Sequence, residues 1–191
     1  MAPLLGEAFN CIHVDSSRFL RDLGLAERDP TGRETNIVQP SRIGQAVREL
    51  VRSGECIILE TTYPSLWLEN GLDEYTAIIV LLRVHPLELC KRLENARNWP
   101  PDKIIENCLA EAFNEVANEL LDYEHSVIEV DTTGKGARQV VEEITEDLIE
   151  WRTGINVDWL EMDPSLIDYI SKWIERLDFD KYRFGYGGRL D

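Results

Sequence analysis

Short apolar runs alternate with longer stretches in which apolar residues recur every three or four positions. Leu4, Leu5 and Ala8 keep helical spacing, and CIHVD (11–15) then alternates as a short strand would. Pro40 and Ser41 open the next helical stretch, in which Ile43, Ala46, Val47, Leu50 and Val51 fall at i, i+3, i+4, i+7 and i+8 before Gly54 stops it. CIILE (56–60) and AIIVLLR (77–83) read as strands apolar on both faces, as strands between two helical layers are. PLELCKRLEN returns to helix and ARNWPP breaks it. One long helix is then predicted, with an apolar face from Ile105 through Cys108, Ala112 and Val116 to Leu120. SVIEV (126–130) is the last strand, and ARQVVEEITEDLIEW the helix after it. This order predicts an α/β fold with a doubly wound parallel sheet. Beyond it, DPSLIDYISKWIERLDF predicts one more helix, with Leu166, Ile167, Ile170, Trp173, Ile174 and Leu177 inward. The end, DKYRFGYGGRLD, reads as a tail, with stacking on RNA as the alternative.

Composition narrows this. A chain of 191 residues with 43% apolar content suits one soluble domain with an appendage. The formal charge of −16 argues against a nucleic-acid sleeve or an anionic-membrane binder, and direct DNA binding is not expected. The run Ala77–Leu82 is far too short for a bilayer. Glu7 interrupts the first apolar stretch, which also lacks the cationic start of a signal peptide, so a cytoplasmic protein is expected. Cys11, Cys56, Cys90 and Cys108 form no C-x-x-C pair and read as free buried thiols. The three histidines read as structural or surface residues.

Ligands of parallel sheets bind beyond the carboxyl ends of the strands. Those ends release Asp15-Ser16-Ser17, Glu60-Thr61-Thr62, Arg83, and Asp131 through Gly136. Hydroxyls, carboxylates, an arginine and a glycine turn suit a phosphorylated ligand. TTGKG is not itself a phosphate loop: position 129 is Glu, and Lys135 precedes Gly136. Its Thr133, Gly134 and Lys135 can still border a base pocket. Arg92, Arg97 and Trp99 beside Pro100-Pro101 suit a lid over a nucleotide, because guanidinium groups fork onto phosphates and stack on bases. A packed corner with both arginines in water is the alternative.

The run IIVLLRVHPLELCKRLENARNWPPDKIIENCLAEAF (78–113), with VIEVDTTGK (127–135), resembles the adenylate kinase isoenzyme 6 family. These are small nucleoside monophosphate kinases and ATPases of eukaryotes and archaea, linked to small-ribosomal-subunit maturation. The resemblance extends over about 4–150, and FNCIHVDSSRFLRDLGL (9–25) fits the family's passage into its monophosphate-binding region. It implies a phosphate-loop kinase fold at 1–153, with a monophosphate region near 13–38 and a lid near 96–107, followed by a helical extension at 154–191. In the family, a strand and a G-T-P-G-x-G-K-T-T loop precede LLGEAF. This sequence has neither, so the resemblance implies a truncated chain that lacks its first, central strand and is inactive as written.

By the same resemblance, Arg97 matches the lid arginine on the ATP phosphates, with Arg92 also bearing on the transferring group. Trp99 matches the lid aromatic, although Asn98 replaces the usual glycine and the lid holds one extra residue. Asp15, Ser16 and Ser17 match the exit of the strand that leads to the monophosphate. The family's Asp-x-His pair is here Glu60 and Thr62: Glu60 can hold hydrated magnesium or orient water, whereas Thr62 cannot act as a base. The implied reaction is phosphoryl transfer from Mg-ATP to AMP, with Mg2+ held only through water. Two rivals stay open: a non-catalytic acidic partner of a basic small-subunit ribosomal protein, and a small-molecule kinase of the same fold.

Overall fold

A computed structural model of the chain describes residues 1–28, 36–96 and 99–177. Its strands are β1 (Ile12–Asp15), β2 (Ala26–Arg28), β3 (Asn36–Val38), β4 (Ile57–Glu60), β5 (Ile79–Arg83) and β6 (Val127–Asp131). Its helices are α1 (Ala2–Phe9), α2 (Ser16–Asp22), α3 (Ile43–Val51), α4 (Pro64–Trp67), α5 (Pro86–Ala96), α6 (Pro101–Ala112), α7 (Glu115–Glu119), α8 (Ala137–Glu150), α9 (Trp159–Met162) and α10 (Leu166–Arg176). Helix and strand are mixed, with small parallel pairing, as in α/β nucleotide-kinase-like folds. Two compact units form. The first takes Met1–Leu81, Val116–Val130 and Gly134–Ile155; the second takes Leu82–Glu115, Asp131–Thr133 and Asn156–Asp191.

In the first unit, β1 and β4 pair in parallel, with Ile12 opposite Ile57 and Asp15 opposite Glu60. The apolar strands do face two layers. Ile58 of β4, Val80 of β5, and Ile128 and Val130 of β6 pack with Leu5 of α1 and Val140 and Ile144 of α8. On the opposite face, Ile57 and Leu59 join the α3 stripe of Ile43, Ala46, Val47 and Leu50, while Leu81 and Val127 join Leu68, Ala117 and Leu120. Period-2 alternation therefore divides each strand between two cores. The α1–β1 turn is tight enough to require Gly6, where an added Cβ would meet the Cys11 carbonyl oxygen at 2.9 Å. The antiparallel β2–β3 pair was not anticipated: three residues per strand are too few for a periodic signal.

The sheet is divided into separate pairs. β1 pairs with β4 and β5 with β6, and among the described residues no ladder joins β4 to β5. The outer edge of β6 is partly covered, since Gly154 bridges Ile128 and donates its N–H to the Val127 carbonyl at 2.8 Å.

The second unit packs α5, α6, α9 and α10 around Ile104, Ile105, Cys108, Trp159, Leu166, Ile170 and Trp173. The single long helix expected beyond Pro101 is instead two, because Asn114 takes a left-handed conformation at φ 58° between α6 and α7. Asparagine tolerates that conformation better than most residues. Ile167 and Ile174, expected inward, are 57% and 40% exposed. The buried stripe of α10 is the narrower Leu166, Ile170 and Trp173.

All four cysteines are paired, which corrects the expectation of free thiols. Cys11–Cys56 joins the entries of β1 and β4, and Cys90–Cys108 joins α5 to α6, with Cα–Cα distances of 4.7 and 5.8 Å. Sequence separations of 45 and 18 correspond, in the chain-entropy picture, to about 4 and about 3 kcal/mol removed from the unfolded ensemble.

Candidate functional site

Parallel pairing sets Asp15 and Glu60 side by side at the carboxyl ends of β1 and β4 in the first unit. Asp15 caps α2, its Oδ1 accepting the Arg18 N–H at 2.7 Å, and retains an exposed side chain. Ser16 is buried in the first turn of α2 and Ser17 is exposed. The Glu60 carboxylate is 2.9 Å from Nε2 of His13 on the neighbouring strand. His13 is thus the histidine nearest the carboxylate, while Thr62 is exposed beyond the strand. A cavity of about 80 Å³ lined by Gly24, Leu25, Glu27, Gln39 and Arg42 lies in the same unit. It is far smaller than the roughly 300–1,000 Å³ of a typical small-molecule pocket. In the turn after β6, Gly134 adopts φ 68° and Lys135 Nζ meets Glu143 at 2.6 Å.

The second unit holds a denser cluster at the exits of β5 and β6. Arg83 closes β5 and is 1% exposed. Its Nε donates to Glu111 Oε1 at 2.9 Å, a terminal nitrogen to the Val157 carbonyl at 3.2 Å, and the other to Asn114 Oδ1. The indole N–H of Trp159 donates to the same Glu111 oxygen at 2.7 Å, and the guanidinium lies 5.8 Å from the Trp159 ring centroid. Arg83 therefore does not line an open crevice, as its strand-end position suggests. Its guanidinium is buried and paired with the half-buried Glu111, with further acceptors on its terminal nitrogens, the condition under which such a pair is tolerated.

Thr132 comes directly after β6, and its N–H and hydroxyl both donate to the Arg83 carbonyl at 2.7 Å. Arg92, on α5, donates to the Thr132 carbonyl at 2.9 Å and also meets Glu88. Thr133 donates its hydroxyl to Asp131 at 2.5 Å and accepts the His85 N–H at 2.8 Å. His85 Nε2 is 3.3 Å from Asp163, whose carboxyl is held below its ordinary 3.8, first by the Ser165 hydroxyl and further by His85. Trp99 is half-buried against α6, with Lys103 Nζ 4.2 Å from its ring centroid. Arg97 lies outside the described residues.

The structure thus brings Asp15 to Glu60, and Arg92 and Thr133 into one polar network. The sequence did not point to Glu111, Asn114 and Trp159 as partners of Arg83. A carboxylate on the inward side of a predicted helix was the available signal for Glu111. Oxygen donors suited to a hydrated magnesium exist at Glu60 and Asp15, but among the described residues no three His, Cys, Asp or Glu side chains could together hold a bare metal ion.

Mixed helix and strand with small parallel pairing is consistent with an α/β protein of nucleotide-kinase-like class. No protein-family model matches the chain. A "Putative adenylate kinase" of Thermococcus onnurineus is 30% identical over 175 residues, 89% of each chain. Proteins of the same name from Methanosarcina barkeri and Pyrococcus furiosus are 31% and 41% identical, over 69% and 49% of this chain and 74% and 52% of theirs. The chain belongs to this archaeal adenylate kinase-like family.

Proposed function

We propose that the protein serves phosphoryl transfer from Mg-ATP to AMP, its phosphate cradle supplied by chain outside residues 1–191 on a strand seated between β4 and β5. The observation that carries this reading is the relationship to the Thermococcus onnurineus protein over 89% of both chains. Two features support the seat. β4 and β5 are unjoined, and Ile58 and Val80 nevertheless pack in one cluster under α1 and α8. No Gly-x4-Gly-Lys-Ser/Thr stretch occurs in the sequence.

In such transfer the protein positions groups and neutralises charge. Asp15, Ser16 and Ser17 would face the monophosphate. Glu60 and Asp15 would hold Mg2+ through water, and the ion would supply charge neutralisation at the phosphates. Arg92 and Arg97 would bear on the transferring group, Trp99 would help exclude water, and Thr133 to Lys135 would border the base. Cytoplasmic residence and a link to small-subunit maturation, through a basic ribosomal protein on the acidic surface, complete the reading.

A coupled assay of AMP-dependent ADP formation tests it. Residues 1–191 alone should be inactive, and the chain extended by its in-frame upstream codons should be active. In the extended form, Arg97→Ala should lower turnover far more than AMP affinity. Robust activity of 1–191 alone would overturn the proposal. So would an unchanged turnover for Arg97→Ala, as regards the lid.

A further inference from the structure

We infer that Cys56 is a thiol-exchange site: its bond to Cys11 opens to small thiols under conditions in which the Cys90–Cys108 bond stays closed. The inference is independent of phosphoryl transfer.

Exchange begins when a thiolate reaches one sulfur of a disulfide, so access decides which bond reacts. Cys56 is exposed, at the end of an exposed stretch that runs from Arg52 through the Gly54 turn, and Cys11 is half-buried. The other bond is less open, because neither of its sulfurs belongs to an exposed residue: Cys90 is half-buried and Cys108 is buried. Cys108 has 0% exposure on the inward side of α6, and Cys90 packs against the same apolar cluster with Leu87 and Leu93. A thiolate finds less approach at Cys90 than at Cys56, and freeing the Cys108 sulfur loosens the packing of α5 on α6, which draws on the stability of their shared core.

This asymmetry sets the course of the reaction. An incoming thiolate attacks Sγ of Cys56 and forms a mixed disulfide there. The Cys11 sulfur leaves with the electron pair of the broken bond and takes a proton from water. A second small thiol displaces the first from Cys56, releasing the small disulfide and a free Cys56 thiol. Two small thiols are thereby oxidised and one protein disulfide is reduced. The released Cys11 thiol has an acceptor waiting, because its sulfur lies 3.4 Å from the Phe9 carbonyl oxygen. The bond it leaves behind had stapled β1 to β4 at their entry ends, beside the hydrogen bond from Ile12 N–H to the Cys56 carbonyl at 2.8 Å. Opening it releases the turn between α1 and β1 and leaves the second unit intact.

The test uses the native full chain. Aliquots are exposed to rising dithiothreitol, trapped with iodoacetamide and mapped by peptide mass spectrometry. Cys11 and Cys56 should be alkylated at least about tenfold faster than Cys90 and Cys108. Reduced glutathione, with acid quench, should leave its adduct on Cys56 and a free thiol at Cys11. A Cys11→Ser variant treated with glutathione disulfide should retain the adduct at Cys56, with no protein sulfur nearby to resolve it. Equal alkylation rates, earlier opening of Cys90–Cys108, an adduct on Cys11, or four alkylated cysteines without reductant would each overturn the proposal.

Discussion

The exits of β4 and β5 look alike in the sequence, an apolar run ending in one charged residue, and they behave in opposite ways. Glu60 ends β4 with its side chain 55% exposed and His13 beside it. Arg83 ends β5 at 1% exposure, with Glu111, Asn114 and Val157 accepting from it and a tryptophan ring beside it. The difference lies in the surroundings of each strand end. After β4 the chain turns through Thr61 and an exposed Thr62, which leave the exit open. Near β5, α6 contributes Glu111 and the segment before α9 contributes the Val157 carbonyl, which close around the guanidinium. A charge at a strand exit can thus be held for a ligand or consumed by the fold, and only its neighbours distinguish the two.

The sharpest way to break this comparison is to remove the consumed charge. Arg83→Ala leaves the half-buried Glu111 and Asn114 without their cationic partner, and should cost about 3 kcal/mol in urea unfolding. Replacing Arg83 and Glu111 together by Met should recover much of that loss, because no unpaired charge remains. A loss under about 1 kcal/mol for Arg83→Ala would show that the pair is not desolvated as described.

Trp159→Phe tests the same network one bond at a time. It keeps most of the ring packing and removes the indole N–H to Glu111. A hydrogen bond to a charged group predicts a loss of about 2 kcal/mol. The variant should also change the near-ultraviolet circular dichroism, since His85 stacks edge-on to this ring at 5.3 Å.

How much of this was legible depended on range along the chain. The α3 stripe was readable because Ile43, Ala46, Val47 and Leu50 keep a helical period, and all four are buried. That β4 and β5 pack against apolar clusters on both faces could be read from their unbroken apolar runs, although Leu82 of β5 is 38% exposed. The break at Asn114 was hidden, because a contact with Arg83, thirty-one positions away, accompanies its left-handed backbone. The disulfides were hidden for a related reason: pairings at separations of 45 and 18 leave no trace in cysteine spacing. Of the site, Asp15 and Glu60 could be placed at strand exits. Their adjacency needed the register, and the neighbouring His13 needed the structure.

At the open exit, Glu60→Gln should alter stability by no more than about 0.5 kcal/mol, because an exposed pair with His13 is screened by solvent. On the proposed phosphoryl transfer, the same change should weaken the Mg2+ dependence of turnover. Stability loss comparable to that of Arg83→Ala would make the two exits equivalent and end the distinction drawn between them.

The smallest expected effect is at the rim of the closed exit, where Asp163, at the end of α9, meets His85. Its Oδ1 accepts the Ser165 hydroxyl at 2.6 Å and the Ser165 N–H at 3.0 Å, and its Oδ2 faces His85 Nε2 at 3.3 Å. These contacts favour the carboxylate, so its folded pKa lies below the ordinary 3.8, with the Ser165 hydroxyl as the largest cause. A depressed acid binds fewer protons in the folded state than in the unfolded one. Its stabilisation is therefore complete at pH values above the ordinary carboxylate range and is lost as pH falls through the folded value. Asp163→Asn should melt slightly earlier than the parent protein near neutrality, and the two melting curves should converge on acidification below about pH 4. Ser165→Ala should move the Asp163 carboxyl titration, followed by NMR, upward by more than His85→Gln does. Melting temperatures that run parallel down to about pH 3 would show that this carboxylate is not the group that tunes the rim.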